Sequence, residues 1–178
     1  MKSAPEAKKQ KLITDLTEAR HEVLAAAMSL PSEEQDTPFL GTWSAHDIVA
    51  HLVGWDHANR EAIGSIRAGQ LPTFYDHYDR DWRTFNAELV AQHKQETLEE
   101  TVALARASHQ ALLAALAAVP AEDVSRDYGV RSSGRRRVTI AMLLTVEARD
   151  ERKHAGQIRD FAAREEGGEP PASPQASP

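Results

Sequence analysis

The stretch TIAMLLTVEARDERKHAGQIRDF, residues 139–161, changes the chemistry of its inward face halfway along. Counting alternately three and four residues from Ile140 selects Leu143, Glu147, Asp150, His154, Gln157 and Phe161, the stripe a bundled helix turns towards its partners. Apolar side chains hold both ends of that stripe. Four polar ones hold its middle, and Glu147, Asp150 and His154 can titrate or ligate. An unpaired polar group in a core costs about 1–3 kcal/mol and a charge costs more, so something must compensate. A metal ion meets that requirement. The competing reading is a solvent-facing pair, because an acid and a histidine four residues apart in a charged run such as EARDERKH commonly face water.

Around this helix the rest of the chain also reads as helical. Ile13, Leu16, Ala19, Val23, Ala27 and Leu30 keep a helical period over residues 5–30. Pro31 and a polar run close that helix, and Ser44 with Asp47 three residues on outlines a capping box for a second, at 44–68. The inward stripe of the second helix is Ile48, His51, Trp55, Ala58, Ala62 and Ser65 or Ile66, so a histidine again lies on a core-facing track. Tyr75, Tyr78, Trp82, Phe85 and Leu89 form an aromatic seam over 74–93, read first as packing and second as the wall of a ligand pocket. Thr97 with Glu100 caps a further helix that Pro120 closes. Over 121–138 the period breaks down, and Tyr128-Gly129 and Ser132-Ser133-Gly134 are turn signals that can carry a short hairpin. The triplet Arg135-Arg136-Arg137 reads as a solvated loop end, with a phosphate or acidic-substrate contact as the alternative.

These elements specify an all-α protein, an up-and-down four-helix bundle with an additional helical segment, over residues 1–166. The Pro-, Gly- and Ser-rich tail at 167–178 is expected to be disordered. A formal charge of −6 and a pI near 5.7 speak against nucleic acid as a partner. Cysteine is absent, which removes disulfides and thiolate ligands and leaves any metal to imidazole and carboxylate. The first twelve residues are too polar for a secretory signal, and no apolar run approaches the ~18 residues of a membrane span, so a cytoplasmic protein with no membrane partner is expected.

Asp150 and His154, one helical turn apart, can converge on one ion, and His51 on the second helix is the best third ligand. Two imidazoles and a carboxylate would leave positions open for water or substrate and suit zinc, nickel, manganese or ferrous iron. Glu147, a turn earlier, is the candidate proton shuttle or catalytic acid–base residue. Asp47 is placed to orient His51 or to complete its capping box. Trp55, Tyr75, Tyr78 and Trp82 are the candidate pocket walls. His46, His57, His77, His93 and His109 show no convergent partner.

WSAHDIVAHLVGWD at 43–56 and DERKHAGQI at 150–158 resemble the DinB family of four-helix bundle proteins, which includes thiol-dependent transferases and maleylpyruvate isomerase-type enzymes. That family carries a "W…D…aHl..w" motif on its second helix and an "H/E-x-x-x-H-x-x-Q" motif on its last. The resemblance makes His51 and His154 ligands and Gln157 the glutamine beside them. Asp150 falls where the family has His or Glu, a shorter but still ligand-capable side chain. The resemblance implies a divalent metal, zinc or nickel first, with manganese or iron after them. It also implies either hydrolysis or attack by a low-molecular-weight thiol on a small electrophilic substrate. A non-catalytic binding module and a stress-related homodimer are the alternatives, and a homodimer is the expected assembly.

Overall fold

A computed structural model describes residues 3–166, apart from the side chains of residues 78, 79 and 166. The C-terminal tail lies outside the described residues. Among the described residues six helices form in order: α1 (Ala4–Met28), α2 (Ala45–Arg67), α3 (Phe74–His93), α4 (Leu98–Ala118), the single-turn α5 (Ala121–Val124) and α6 (Ile140–Glu166). Three of them start in reciprocal capping boxes: Ser3 with Glu6, Ser44 with Asp47, and Thr97 with Glu100. In each box a hydroxyl accepts from the backbone N–H three residues on, and that residue's carboxylate accepts from the cap N–H. Two otherwise orphaned donors are satisfied at once. Gly69, at φ 74°, ends α2 in the left-handed region that a residue without Cβ enters freely.

Two apolar clusters fill the bundle. Leu12, Leu16, Ile66, Leu112, Leu116, Ile140 and Leu144 gather at one end. Val23, Leu30, Ile48, Leu52, Leu98, Val102, Ile158 and Phe161 gather at the other. Membership fixes the helix directions: the first halves of α1 and α6 meet the second halves of α2 and α4. Lys94 reaches Asp47, and Trp55 reaches Asn86, so α3 runs opposite to α2. Consecutive long helices therefore alternate direction along the chain. Because α3 lies outside, against α2, the four helices of the bundle run up, down, down, up. Close approach to α3 requires Gly54, where an added Cβ would stand 2.7 Å from the Leu89 Cβ.

The aromatic seam is split. Asp81 takes non-helical angles and accepts from the Thr84 backbone N–H and hydroxyl, acting as an N-cap inside α3. The resulting kink directs Phe74 and Phe85 onto Trp55. Trp82 is turned outward, 46% exposed with Arg83 over its ring. Between α5 and α6, backbone bonds from Val138 to Val130 and from Ser132 to Arg136 close a short hairpin, the one the turn residues foreshadow. Among the described residues no helix is long and apolar enough to cross a membrane.

Candidate metal centre

His51 on α2 and Asp150 and His154 on the antiparallel α6 bring one ligand atom each to within 4.8 Å of one another. The two imidazoles stand edge to face, with centroids 5.7 Å apart. On His154, Nδ1 donates to the Gln157 Oε1 at 2.8 Å, and Nε2 stands 3.4 Å from the Asp150 Oδ2. Three-residue spacing on one helix makes the Gln157 contact local, and Gln157 is the glutamine that the resemblance marks beside His154. Asp150 keeps a side chain 47% exposed at the mouth of the cluster. Burial works against ionisation of its carboxyl, but the contact with His154 first, with the neighbouring imidazoles and Lys153 after it, holds it below the usual carboxylate range.

His51 is buried, and its Nδ1 has no hydrogen-bond partner among the described residues. Burial first and the neighbouring His154 second, opposed by Asp150, push the imidazole down to about 3, so at neutral pH it is an uncharged lone-pair donor. An orphaned buried nitrogen beside a second imidazole and an ionised carboxylate fits a divalent cation. Aromatic rings enclose it: Trp43 at 4.9 Å and Trp55 at 6.2 Å between centroids. Trp55 in turn meets Phe74, and Phe74 stacks on Tyr75. Trp43 precedes the Ser44 cap and lies off any helical count; its signal in the sequence is that it opens the DinB-like stretch at 43–56.

Some expected roles fall elsewhere. Asp47 serves the Ser44 cap and pairs with Lys94 at 2.9 Å, and the His51 Nδ1 has no carboxylate acceptor. Trp82 faces solvent and walls nothing near His51, and the Tyr78 side chain lies outside the described residues. Glu147 is buried and accepts from the Asn59 Nδ2 at 3.0 Å. Burial, then the charges of Glu151 and Asp56, raise its carboxyl well above the ordinary range.

Beside this cluster, between the two apolar ends of the bundle, lies a polar layer. The Arg20 guanidinium donates to both oxygens of Glu151 (2.8 and 3.0 Å), to both of Asp56 (2.8 and 3.0 Å) and to the Ala105 carbonyl (3.0 Å). Ser108 donates to Asp56, and the His109 Nδ1 lies 3.7 Å from that carboxylate. Asp56, His109 and Glu151 form a second constellation of possible ligands, with Arg20 already occupying both carboxylates. His109 thus does have a convergent partner, and so does the buried His46, which bonds Thr101 at 2.7 Å and Asp36 at 3.1 Å. The signal for the layer existed. Leu16, Arg20, Val23, Ala27 and Leu144, Ala148, Glu151, Ala155 each keep the four–three–four count with one charge of opposite sign in register. The buried face of α6 is centred on this second count, one residue beyond the stripe that starts at Leu143, so Leu143, Asp150 and Gln157 lie along its flank.

The DinB superfamily model matches residues 15–158. This chain belongs to the DinB superfamily. The match spans α1 to α6 and includes the proposed DinB ligands His51, Asp150 and His154. Two solved structures share the fold. One is the colibactin self-resistance protein ClbS in complex with double-stranded DNA, at 15% identity and TM-score 0.68, covering 86% of this chain and 94% of that one. The other is an uncharacterised protein from Escherichia coli UTI89, at 16% identity and TM-score 0.69, covering 89% and 94%. No curated protein matches the chain. ClbS corrects one expectation. A chain of this fold has been crystallised with DNA, so the exclusion of nucleic acid argued from net acidity does not stand.

Proposed function

We propose that this DinB protein is a metal-dependent enzyme acting on a small electrophilic molecule, with His51, Asp150 and His154 as the ligands. The observation that carries the reading is the orphaned, buried Nδ1 of His51 beside two further donors. A divalent cation bound there would supply Lewis-acid activation of water or of a low-molecular-weight thiol. The chain's own groups prepare that step. Gln157 holds the His154 tautomer, and the half-exposed Asp150 sits where substrate enters. Trp43 and Trp55 exclude water from one side. Glu147, whose Oε2 accepts from Asn59 and whose carboxyl is held well above the ordinary range, is the group that would protonate the substrate heteroatom as its bond to the electrophilic carbon breaks and the nucleophile's bond to that carbon forms. That ClbS, of the same fold, is a colibactin self-resistance protein supports a protective role.

Elemental analysis of the purified protein, with and without His154→Ala, tests the reading. The expected result is one zinc or nickel per chain, lost in the variant; a metal content indifferent to the substitution overturns it. Small-molecule binding insensitive to a chelator would favour a sequestering module instead.

A further inference from the structure

From Arg126 to Arg137 the sequence reads RDYGVRSSGRRR, five arginines against one aspartate, a local charge of +4 in a chain of −6. Two of the five are neutralised: Arg126 by Asp123 at 3.3 Å, and Arg131 by a two-pronged pair with Asp127 at 2.8 and 2.9 Å. Arg135, Arg136 and Arg137 are exposed, with no carboxylate at ion-pair distance among the described residues. Asp127, itself open to solvent, is held at about 2 by the Arg131 hydrogen bonds first, with the Gly129 N–H and the charges of Arg131 and Arg137 behind them.

The platform is rigid. Val130 and Val138, 3% and 0% exposed, root both strands of the hairpin in the core. Its turn places the left-handed conformation, φ 56°, on Arg135, although Gly134 stands next to it. A side chain with Cβ is uncommon there and costs on the order of 1 kcal/mol, which is a reason to look for what the arginine does. One flank of the ribbon borders an open groove of about 480 Å³ lined by Leu71, Tyr75, Asp76, Arg80, Ser132 and Ser133, which adds a fourth cation from α3.

We propose that this arginine ribbon, with Arg80, is a docking surface for the phosphate backbone of duplex nucleic acid. A two-stranded ribbon fits the ~12 Å width of a major groove, and phosphate contacts need clustered positive charge rather than a basic protein overall. The tip, Ser132-Ser133-Gly134, has no apolar side chain to insert, which argues against a membrane surface. The inference is independent of the metal centre, which lies on other elements.

The experiment is fluorescence anisotropy of a labelled 20-base-pair mixed-sequence DNA duplex with the full chain, from 25 to 200 mM NaCl. Four phosphate contacts give a slope of about −3.6 in log K against log salt, and the triple variant Arg135→Ala, Arg136→Ala, Arg137→Ala should fall to about −0.9. Arg135→Gly relieves the turn, so it should raise the melting temperature while weakening binding, a combination no purely structural role produces. His154→Ala should leave the slope unchanged. Absence of duplex binding at 25 mM NaCl overturns the proposal. So does a triple variant with the wild-type slope, or arginine-dependent binding to phosphatidylserine vesicles without duplex binding.

Discussion

Replacing Arg20 by methionine keeps most of the side-chain volume and removes five hydrogen bonds from the layer between the two apolar clusters. Asp56 retains Ser108 and the distant His109, while the Glu151 carboxylate, 0% exposed, loses both of its bonds to Arg20. Breaking one side of a buried pair typically costs about 3–5 kcal/mol, because the other charge stays desolvated. Here two carboxylates are stranded. At about 2–4 °C per kcal/mol for a chain of this size, the melting temperature should fall by roughly 6–20 °C. Thermal melting reads that shift, and urea denaturation reads the free energy from its midpoint, with the slope checked for constancy.

The pH dependence supplies a second signature. In the native protein burial tends to raise the Asp56 carboxyl, but the Arg20 charge and the donors around it hold it below the ordinary range. Its contribution is therefore present above the unfolded value, about 3.9, and is lost as pH falls through the lower folded one. Without Arg20, burial works against only the Ser108 and His109 contacts, the folded value is expected to rise above the unfolded one, and acidification then stabilises the variant. The gap between wild type and Arg20→Met should narrow from pH 7 to pH 5. A loss below about 1 kcal/mol at pH 7, or a gap that widens towards acid, would refute a charged, dry layer held by Arg20.

Gly54→Ala pushes a Cβ to 2.7 Å from that of Leu89, so overpacking between α2 and α3 should cost about 1–3 kcal/mol, read by thermal melting. In the chelator-treated protein, His51 is neutral down to about 3 when folded but titrates near 6.5 when unfolded. Its penalty is absent above about 6.5 and grows by about 1.4 kcal/mol per pH unit below it. His51→Gln should flatten that part of the stability curve, and an unchanged curve would place the imidazole in water. Gln157→Leu removes the acceptor that holds the His154 ring, and zinc affinity measured by chelator competition should drop about 10–100-fold with little change in melting temperature.

The helices, their caps and the Asp150–His154–Gln157 run were legible because each is local. A capping box spans three residues and a ligand pair one helical turn, so the residues that make them are neighbours in sequence as in space. The all-α bundle and the apposition of His51 with His154 follow from that periodicity and from the DinB-like motifs around them. Tertiary structure alone decided which charged side chains became partners. Arg20, Asp56 and Glu151 come from three helices, and which of them meet depends on helix direction and on rotations of about 100° per residue about each axis. The same dependence sent Asp47 to Lys94 instead of His51, and the cap inside α3 turned Trp82 outward while Phe74 and Phe85 went in. Local hydrogen bonds are written in the spacing of residues; long-range pairing is settled only when packed faces choose their neighbours.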